Sequence, residues 1–137
     1  MRLPFDTTEM LIGGRWTAPR AMLPVEDPST GAEIGRIARG DAADVTAAVR
    51  AARAAVDGEW GRLTAAERGR LLHEAGRLVR ARVEELAALE AMDVGKPLSQ
   101  ARADAIALAR YLEFYGGAAD KLHGETIPFL ADYTVYT

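Results

Sequence analysis

Asp93 and Lys96 lie three residues apart in the segment LEAMDVGKP, residues 89–97, and are the first pair that could do chemistry. A carboxylate and an amine at such a spacing could act as a general base and a general acid. The local sequence offers a simpler interpretation. Gly95 favours the left-handed conformation that ends helices, Pro97 blocks continuation, and a lysine suits a helix C-terminus. The segment therefore predicts a helix end rather than a catalytic pair.

The other residue types that often carry chemistry are few and scattered. His73 falls inside a predicted helix and His123 in a predicted turn, so we interpret both as structural and expect no metal cluster. The two serines, Ser29 and Ser99, fit a turn and a helix N-cap. The segment from Gly35 to Gly40 resembles half of a phosphate-binding loop, but an aspartate follows where the pattern requires lysine. The chain has no cysteine, which excludes disulfides, thiolate metal sites and a thiol nucleophile within it.

The composition excludes several broad classes of protein. The 137 residues carry a net charge of −3, and the arginines alternate with acidic residues along predicted helices, so we expect no nucleic-acid partner. No apolar run approaches the roughly 20 residues of a membrane span. The N-terminus, MRLPFDTTEM, lacks the apolar centre of a signal peptide. We therefore expect no membrane association and a cytoplasmic location.

Residues 9–39 form the first of two blocks that must position these side chains, and they are typical of β-hairpins. Gly13-Gly14 separates two short strand-like segments and permits the positive φ angles of a tight hairpin turn. A second pair of strands, 23–26 and 34–38, is separated by Asp27–Gly31, a segment dense in turn formers. The block predicts two antiparallel hairpins.

Residues 41–121 form the second block and are predicted to be helical. Asp41 is a candidate N-cap, and Thr64 with Glu67 makes a capping box. A longer helix is expected to start near Leu98 or Ser99 and to present an apolar arc wide enough to contact more than one neighbour. The large residues of that arc are Ile106, Leu108, Tyr111, Leu112 and Tyr115.

The last part of the chain changes character. Gly116-Gly117 is expected to loosen the end of the long helix, and residues 122–128 are predicted to be irregular. Asp132–Thr137 is strongly β-forming. Because an unpaired strand is an aggregation hazard, we expect this strand to pair with chain outside this sequence.

Six segments in one order resemble the N-terminal part of the aldehyde dehydrogenase superfamily. They are LIGGRW, VEDPSTGAEIGRIARGDAADVTAAVRAARAA, the Trp60 to Arg68 segment, LEAMDVGKP, YLEFYGGAADKLHGETIP and DYTVYT. The resemblance implies an α/β fold in which β-hairpins are followed by four helices and a terminal arm strand. It implies that residues 1–122 begin the cofactor-binding domain and that residues 123–137 begin the oligomerisation arm.

The resemblance also implies an activity that this chain does not complete by itself. Enzymes of the family oxidise aldehydes to carboxylic acids with NAD or NADP, through a catalytic cysteine and a glutamate that activates water. Those residues and the cofactor loop lie beyond the matching part, so we expect the chain alone to bind no dinucleotide and to be inactive. The implied partners are the remainder of the enzyme and further copies in a homo-oligomer. The alternative is a non-catalytic helical interaction module derived from the family.

Two sets of site residues follow from the resemblance. Asp93 together with the backbone carbonyls of Val25 and Glu26 would hold a monovalent cation, and oxygen ligands suit a hard cation. The alternative is that Asp93 caps or packs without an ion. Ala103 and Ala107 would line the mouth of the aldehyde tunnel, where small side chains leave room for a bulky substrate. The alternative is that they are simply good helix formers.

Overall fold

Short antiparallel strands come first in the computed structural model, which describes residues 8–137, and helices follow. β1 (Met10–Ile12) pairs with β2 (Arg15–Thr17), and β3 (Ala21–Glu26) pairs with β4 (Glu33–Arg39). Gly13 and Gly14, at φ 60° and 75°, close the first hairpin, which confirms the turn predicted there. Residues 1–7 lie outside the described range. They include most of the N-terminal segment considered as a signal peptide and the start of the predicted domain 1–122.

The first and third helices begin at the predicted N-caps, Asp41 and Thr64. α1 (Ala42–Asp57) starts at a reciprocal capping box in which Asp41 accepts from the Asp44 amide and Asp44 from the Asp41 amide. A one-turn helix that the sequence analysis did not foresee, α2 (Glu59–Arg62), follows. α3 (Ala65–Arg80) starts at the Thr64–Glu67 capping box, which is also confirmed.

The next two helices meet at the segment where the sequence predicted a helix end. α4 (Val83–Val94) ends on Gly95 at φ 70°, and α5 (Leu98–Ala118) starts three residues later. Ser99 was expected to cap α5, and this is wrong: Pro97 occupies the cap position and Ser99 is the second helical residue. Proline suits this place because its fixed φ is compatible with the start of a helix and its missing amide would have no partner there.

α5 lies against both α3 and α4, and small residues make the contact. A Cβ atom added to Gly69 would lie 2.4 Å from the carbonyl oxygen of Gly116, and one added to Gly76 would lie 3.0 Å from that of Ala109. The helix backbones therefore approach closely, which glycine permits. Gly116 is buried in this contact, so the expectation that Gly116-Gly117 loosens the helix end is wrong.

The buried residues of α5 are not the large apolar residues that were predicted to contact its neighbours. Ala101, Ala105 and Ala109, one turn apart, are buried. The large residues of the arc are more exposed, and Tyr111 and Tyr115 remain 63% and 61% exposed. Spacing alone could not separate the two sets, because alanine and tyrosine both count as apolar in a helical pattern.

The end of the chain forms a third hairpin. β5 (Thr126–Ile127) pairs with β6 (Val135–Tyr136), so part of the segment predicted to be irregular is a strand and the predicted strand is shorter than expected. The Thr137 amide donates to the carbonyl oxygen of Glu125, which extends the pairing. β6 thus has a partner inside this chain on one edge, where the sequence analysis expected one from outside it.

Candidate functional site

A groove of about 440 Å³ runs along one face of α5 and contains both predicted tunnel residues. Ala103, Ala107, Arg110 and Phe114 follow one another at intervals of four, three and four residues, so they form a stripe on one side of the helix. Ile106, Tyr111 and Tyr115 complete the lining. The groove is a concave surface with small residues toward one end and aromatic residues toward the other.

Aromatic rings form the C-terminal end of this groove. The rings of Phe114 and Tyr115 contact edge to face, with centroids 5.3 Å apart and planes at 84°. Phe114 is 67% exposed, and Tyr111 is exposed to a similar degree. Exposed aromatic side chains that converge on one depression are typical of surfaces that bind a ligand or another protein segment. Ala103 and Ala107 were expected here from the resemblance. Arg110 and Phe114 were not, although they follow Ala107 at i+3 and i+7, which is the spacing of one helix face.

The junction between α4 and α5 carries a pair of ion contacts centred on Lys96. The Lys96 Nζ atom donates to Glu90 Oε1 at 2.5 Å and to Asp104 Oδ2 at 2.8 Å. These two hydrogen bonds, first the one to Asp104 and then the one to Glu90, raise the pKa of Lys96 above its ordinary value. The amine is therefore held in its protonated form, and its contacts tie the last turns of α4 to α5. This geometry agrees with a structural role for Lys96.

Asp93 lies near the same junction, at the C-terminal end of α4. It is exposed and lines a cleft between α4 and α5 together with Glu90 and Asp104. Gly95, two residues later, lies against the β3–β4 turn, since a Cβ atom added there would be 2.9 Å from Pro28 Cγ. The end of α4 is therefore adjacent to the hairpin that carries the other two predicted cation ligands.

Val25 and Glu26 lie at the end of β3, where the pairing with β4 is irregular. Val25 pairs with Gly35 and Glu26 with Glu33, which leaves Ile34 unpaired at a bulge. In a two-stranded sheet each strand has one free edge, so backbone carbonyls that point away from β4 remain available as acceptors. Nothing in this arrangement contradicts a shared cation site, and the involvement of Asp93, Val25 and Glu26 stays a prediction.

The two histidines and the segment from Gly35 to Gly40 are placed apart from one another by the fold. The His73 ring lies at the α3–α5 contact, 3.0 Å from the position of a Cβ atom on Gly116. His123 is exposed in the segment after α5, and Gly35 lies within β4 rather than in a loop. Across residues 8–137 there is no group of three or more histidine, aspartate or glutamate side chains placed to hold a metal ion. No helix in that range is long and apolar enough to cross a membrane.

Comparison with known proteins gives one consistent result. A family model described as "Aldehyde dehydrogenase family" matches residues 16–137. The chain is 44% identical, over 134 residues, to the mitochondrial aldehyde dehydrogenase family 2 member B4 of Arabidopsis thaliana, with 95% of this chain and 25% of that protein covered. It is also 44% identical, over 120 residues, to a hydroxyisobutyraldehyde dehydrogenase of Mycolicibacterium austroafricanum, with 86% and 24% covered.

Solved structures agree with the sequence relatives. A Burkholderia cenocepacia protein assigned to the aldehyde dehydrogenases is 58% identical, with a TM-score of 0.87 over 93% of this chain and 27% of that chain. The NAD⁺ complex of an aldehyde dehydrogenase from Bacillus cereus is 33% identical, with a TM-score of 0.89 over 96% and 28%. The chain thus spans about a quarter of the length of the proteins it matches.

Proposed function

This chain belongs to the aldehyde dehydrogenase family, and on that premise we propose that it is the N-terminal part of an NAD(P)-dependent enzyme that oxidises an aldehyde to a carboxylic acid. The observation that carries the proposal is the match over residues 16–137, combined with coverage of only about a quarter of each relative. In this proposal residues 1–122 begin the cofactor-binding domain and residues 123–137 begin the oligomerisation arm.

The chain contributes structure to the reaction rather than its reacting groups. Its sequence contains no cysteine and no Gly-x-Gly-x-x-Gly loop, so the nucleophile and the dinucleotide site come from the rest of the enzyme. The dinucleotide accepts hydride from the aldehyde carbon in this class of reaction. We therefore expect this chain alone to bind no dinucleotide and to oxidise no aldehyde.

Three of its surfaces have assigned roles in the proposal. The groove that contains Ala103 and Ala107 forms part of the tunnel wall through which the aldehyde approaches. Asp93, with the carbonyls of Val25 and Glu26, holds a monovalent cation that ties α4 to the β3–β4 hairpin. The free edges of the β5–β6 hairpin pair with the remainder of the enzyme or with a second copy of it.

The amount of exposed apolar surface supports this proposal over a free-standing helical module. Among the described residues, the buried apolar side chains are Ala87, Ala101, Ala105 and Ala109, and no large side chain is fully buried. A domain of this length that folded alone would ordinarily bury roughly two thirds of its unfolded surface around larger side chains. Phe114 and Tyr111 instead remain exposed, as expected for a surface that the rest of an enzyme covers.

The experiment compares the 137-residue chain with the product of its whole reading frame. We expect the frame to continue beyond Thr137, and the full-length protein to form NADH or NADPH when supplied with aldehyde, while the 137-residue chain forms neither. A native stop directly after Thr137, together with two-state melting of the short chain, would favour the interaction module and refute the proposal. Dinucleotide reduction by the short chain would contradict the assignment of the reacting groups to the rest of the enzyme.

The cation role needs a separate measurement on the full-length protein. We expect KCl or NaCl to raise the melting temperature more than choline chloride at equal ionic strength, and Asp93→Asn to abolish that difference. Glu59→Gln, which removes one negative charge from exposed helix α2, is the matched control and should retain it. An equal response of the wild type to all three salts would refute the cation site and leave the proposed oxidation untouched.

The compartment also stays a proposal. We propose a cytoplasmic location, whereas the Arabidopsis relative is mitochondrial by name. Fractionation of cells that express the full reading frame, with antibodies against the protein, distinguishes the two compartments.

A further inference from the structure

Arg110 differs from the other charged residues of α5. That helix carries Arg102, Asp104, Arg110 and Glu113 as its charged residues. Arg102 pairs with Glu84 at 2.7 Å, Asp104 pairs with Lys96, and Glu113 pairs with Arg80 at 3.1 Å. Within residues 8–137, Arg110 makes no ion pair and no side-chain hydrogen bond. The fold therefore uses the other three charges to hold α5 to its neighbours and leaves this one at the surface.

The Arg110 guanidinium, which has no ion-pair partner among residues 8–137, lies in the apolar groove. Of the seven described residues that line it, Arg110 alone is charged. It follows Ala107 by one turn and precedes Phe114 by one turn, so it stands between the small residues and the aromatic end. At a rise of about 1.5 Å per residue, Arg110 lies about 10 Å along the helix axis from Ala103. A molecule that lies along the alanines would therefore reach the guanidinium with its far end.

A planar, permanently charged guanidinium is well matched to a carboxylate, because two parallel N–H groups can donate to its two oxygens. The neighbouring rings of Tyr111 and Phe114 favour an apolar or aromatic body beside that charge. We propose that Arg110 is a specificity-determining residue that selects aldehydes whose apolar body carries a carboxylate remote from the aldehyde carbon. This inference rests on the proposed function, since it requires the groove to be part of the aldehyde's path.

A matched pair of substrates isolates the charge. Para-formylbenzoate and its methyl ester share the aromatic aldehyde and differ in the remote carboxylate. In the full-length enzyme we expect a higher kcat/KM for the carboxylate, through a lower KM. Arg110→Gln should lower the ratio of the two kcat/KM values about ten-fold, mainly by raising KM for the carboxylate, and should leave the ester unaffected. Arg110→Lys should retain part of the preference, because it keeps the charge and loses the two-point geometry.

Two controls separate this role from a structural one. Arg53→Gln removes the same charge from an exposed position on α1, outside the groove, and should leave the ratio unchanged. In the wild type, added salt should raise KM for the carboxylate and leave that for the ester unchanged, because salt screens an exposed ion pair. This second measurement does not depend on the folding of any variant.

The outcomes distinguish the two levels of the argument. If the full-length enzyme oxidises both aldehydes and Arg110→Gln leaves the ratio unchanged, or lowers both substrates equally, the inference is overturned and the proposed function stands. Equal losses would indicate that Arg110 pairs with another part of the enzyme. If the full-length enzyme oxidises no aldehyde, both the proposed function and the inference are overturned.

Discussion

Glycine at the α3–α5 contact provides the sharpest test of how this chain is held together. Replacing Gly69 by alanine places a methyl group 2.4 Å from the Gly116 carbonyl oxygen, closer than carbon and oxygen can approach without a shift of the backbone. The same replacement at Gly76 meets the Ala109 carbonyl oxygen at 3.0 Å. At Gly117, also within α5, the new methyl group lies 3.9 Å from His73 Nε2, an ordinary contact. The three positions thus form a graded series.

The magnitudes follow from two opposing effects. Alanine is favoured over glycine in a helix interior by about 1 kcal/mol. Inserting a methyl group into a filled contact costs about 1–3 kcal/mol. We use the upper end where the methyl group would meet backbone atoms. Gly117→Ala should therefore raise the free energy of unfolding by about 1 kcal/mol, whereas Gly69→Ala should lower it by about 2 kcal/mol. The change in unfolding free energy for Gly76→Ala should fall between these two values, because its methyl group would be 3.0 Å from a carbonyl oxygen rather than 2.4 Å.

Urea denaturation followed by far-ultraviolet circular dichroism measures these differences. With a slope of about 2 kcal/mol/M, the midpoints of Gly117→Ala and Gly69→Ala should differ by about 1.5 M. Gly117→Ala is the matched control, since it changes the same atoms in a helix and leaves the contact with α3 open. The reasoning is refuted if Gly69→Ala is as stable as Gly117→Ala, because the close approach of α3 and α5 could not then be required.

Three further outcomes test the caps and ion pairs. Thr64→Ala should lower the free energy of unfolding by about 1 kcal/mol, which denaturant titration measures, because it removes the acceptor at the start of α3. The pKa of Glu67 is lowered from 4.5, chiefly by the hydrogen bond from the Thr64 amide. The ionised Glu67 carboxylate therefore stabilises the fold above that ordinary pKa, and this stabilisation is lost as the pH falls through the lower pKa of the folded state. Glu67→Gln should flatten the acid side of a plot of unfolding free energy against pH, and an unchanged plot would contradict this. Lys96→Gln should lower the melting temperature, because Glu90 and Asp104 lose the ammonium group that they share. The decrease should be smaller in high salt, which screens the ion pairs, and a decrease that does not depend on salt would argue against them.

Local features were predictable because their causes lie within a few residues. Four predicted features depend on residues no more than three positions apart, and all four are present: the glycine end of α4 at Gly95, the N-cap Asp41, the Thr64–Glu67 capping box and the Gly13-Gly14 turn. The capping expectation for Ser99 was wrong for an equally local reason. A proline two residues earlier occupies the cap position, so the competing rule for proline at helix starts prevailed.

The candidate site was only partly predictable. Ala103 and Ala107 were placed on one face of α5 by resemblance, and helical periodicity then allows Arg110 and Phe114 to be added to the same stripe. Periodicity could not show that Arg110 lacks an ion-pair partner among residues 8–137. The partners of the other three charges come from elsewhere in the fold: Arg80 from α3, Glu84 from α4 and Lys96 from the junction before α5.

The sequence by itself determined the starts of α1 and α3, the end of α4 and the turn of the first hairpin, because their causes are local. It also determined that this chain contains no thiol nucleophile, and it carried the resemblance to the family. Only the tertiary structure decided which apolar residues are buried. Alanines and glycines make the contact with α3 and α4, while Tyr111 and Phe114 stay exposed. The physical reason is that a sequence pattern records the polarity of a side chain, whereas burial depends on how closely two backbones can approach, which is a property of both helices together.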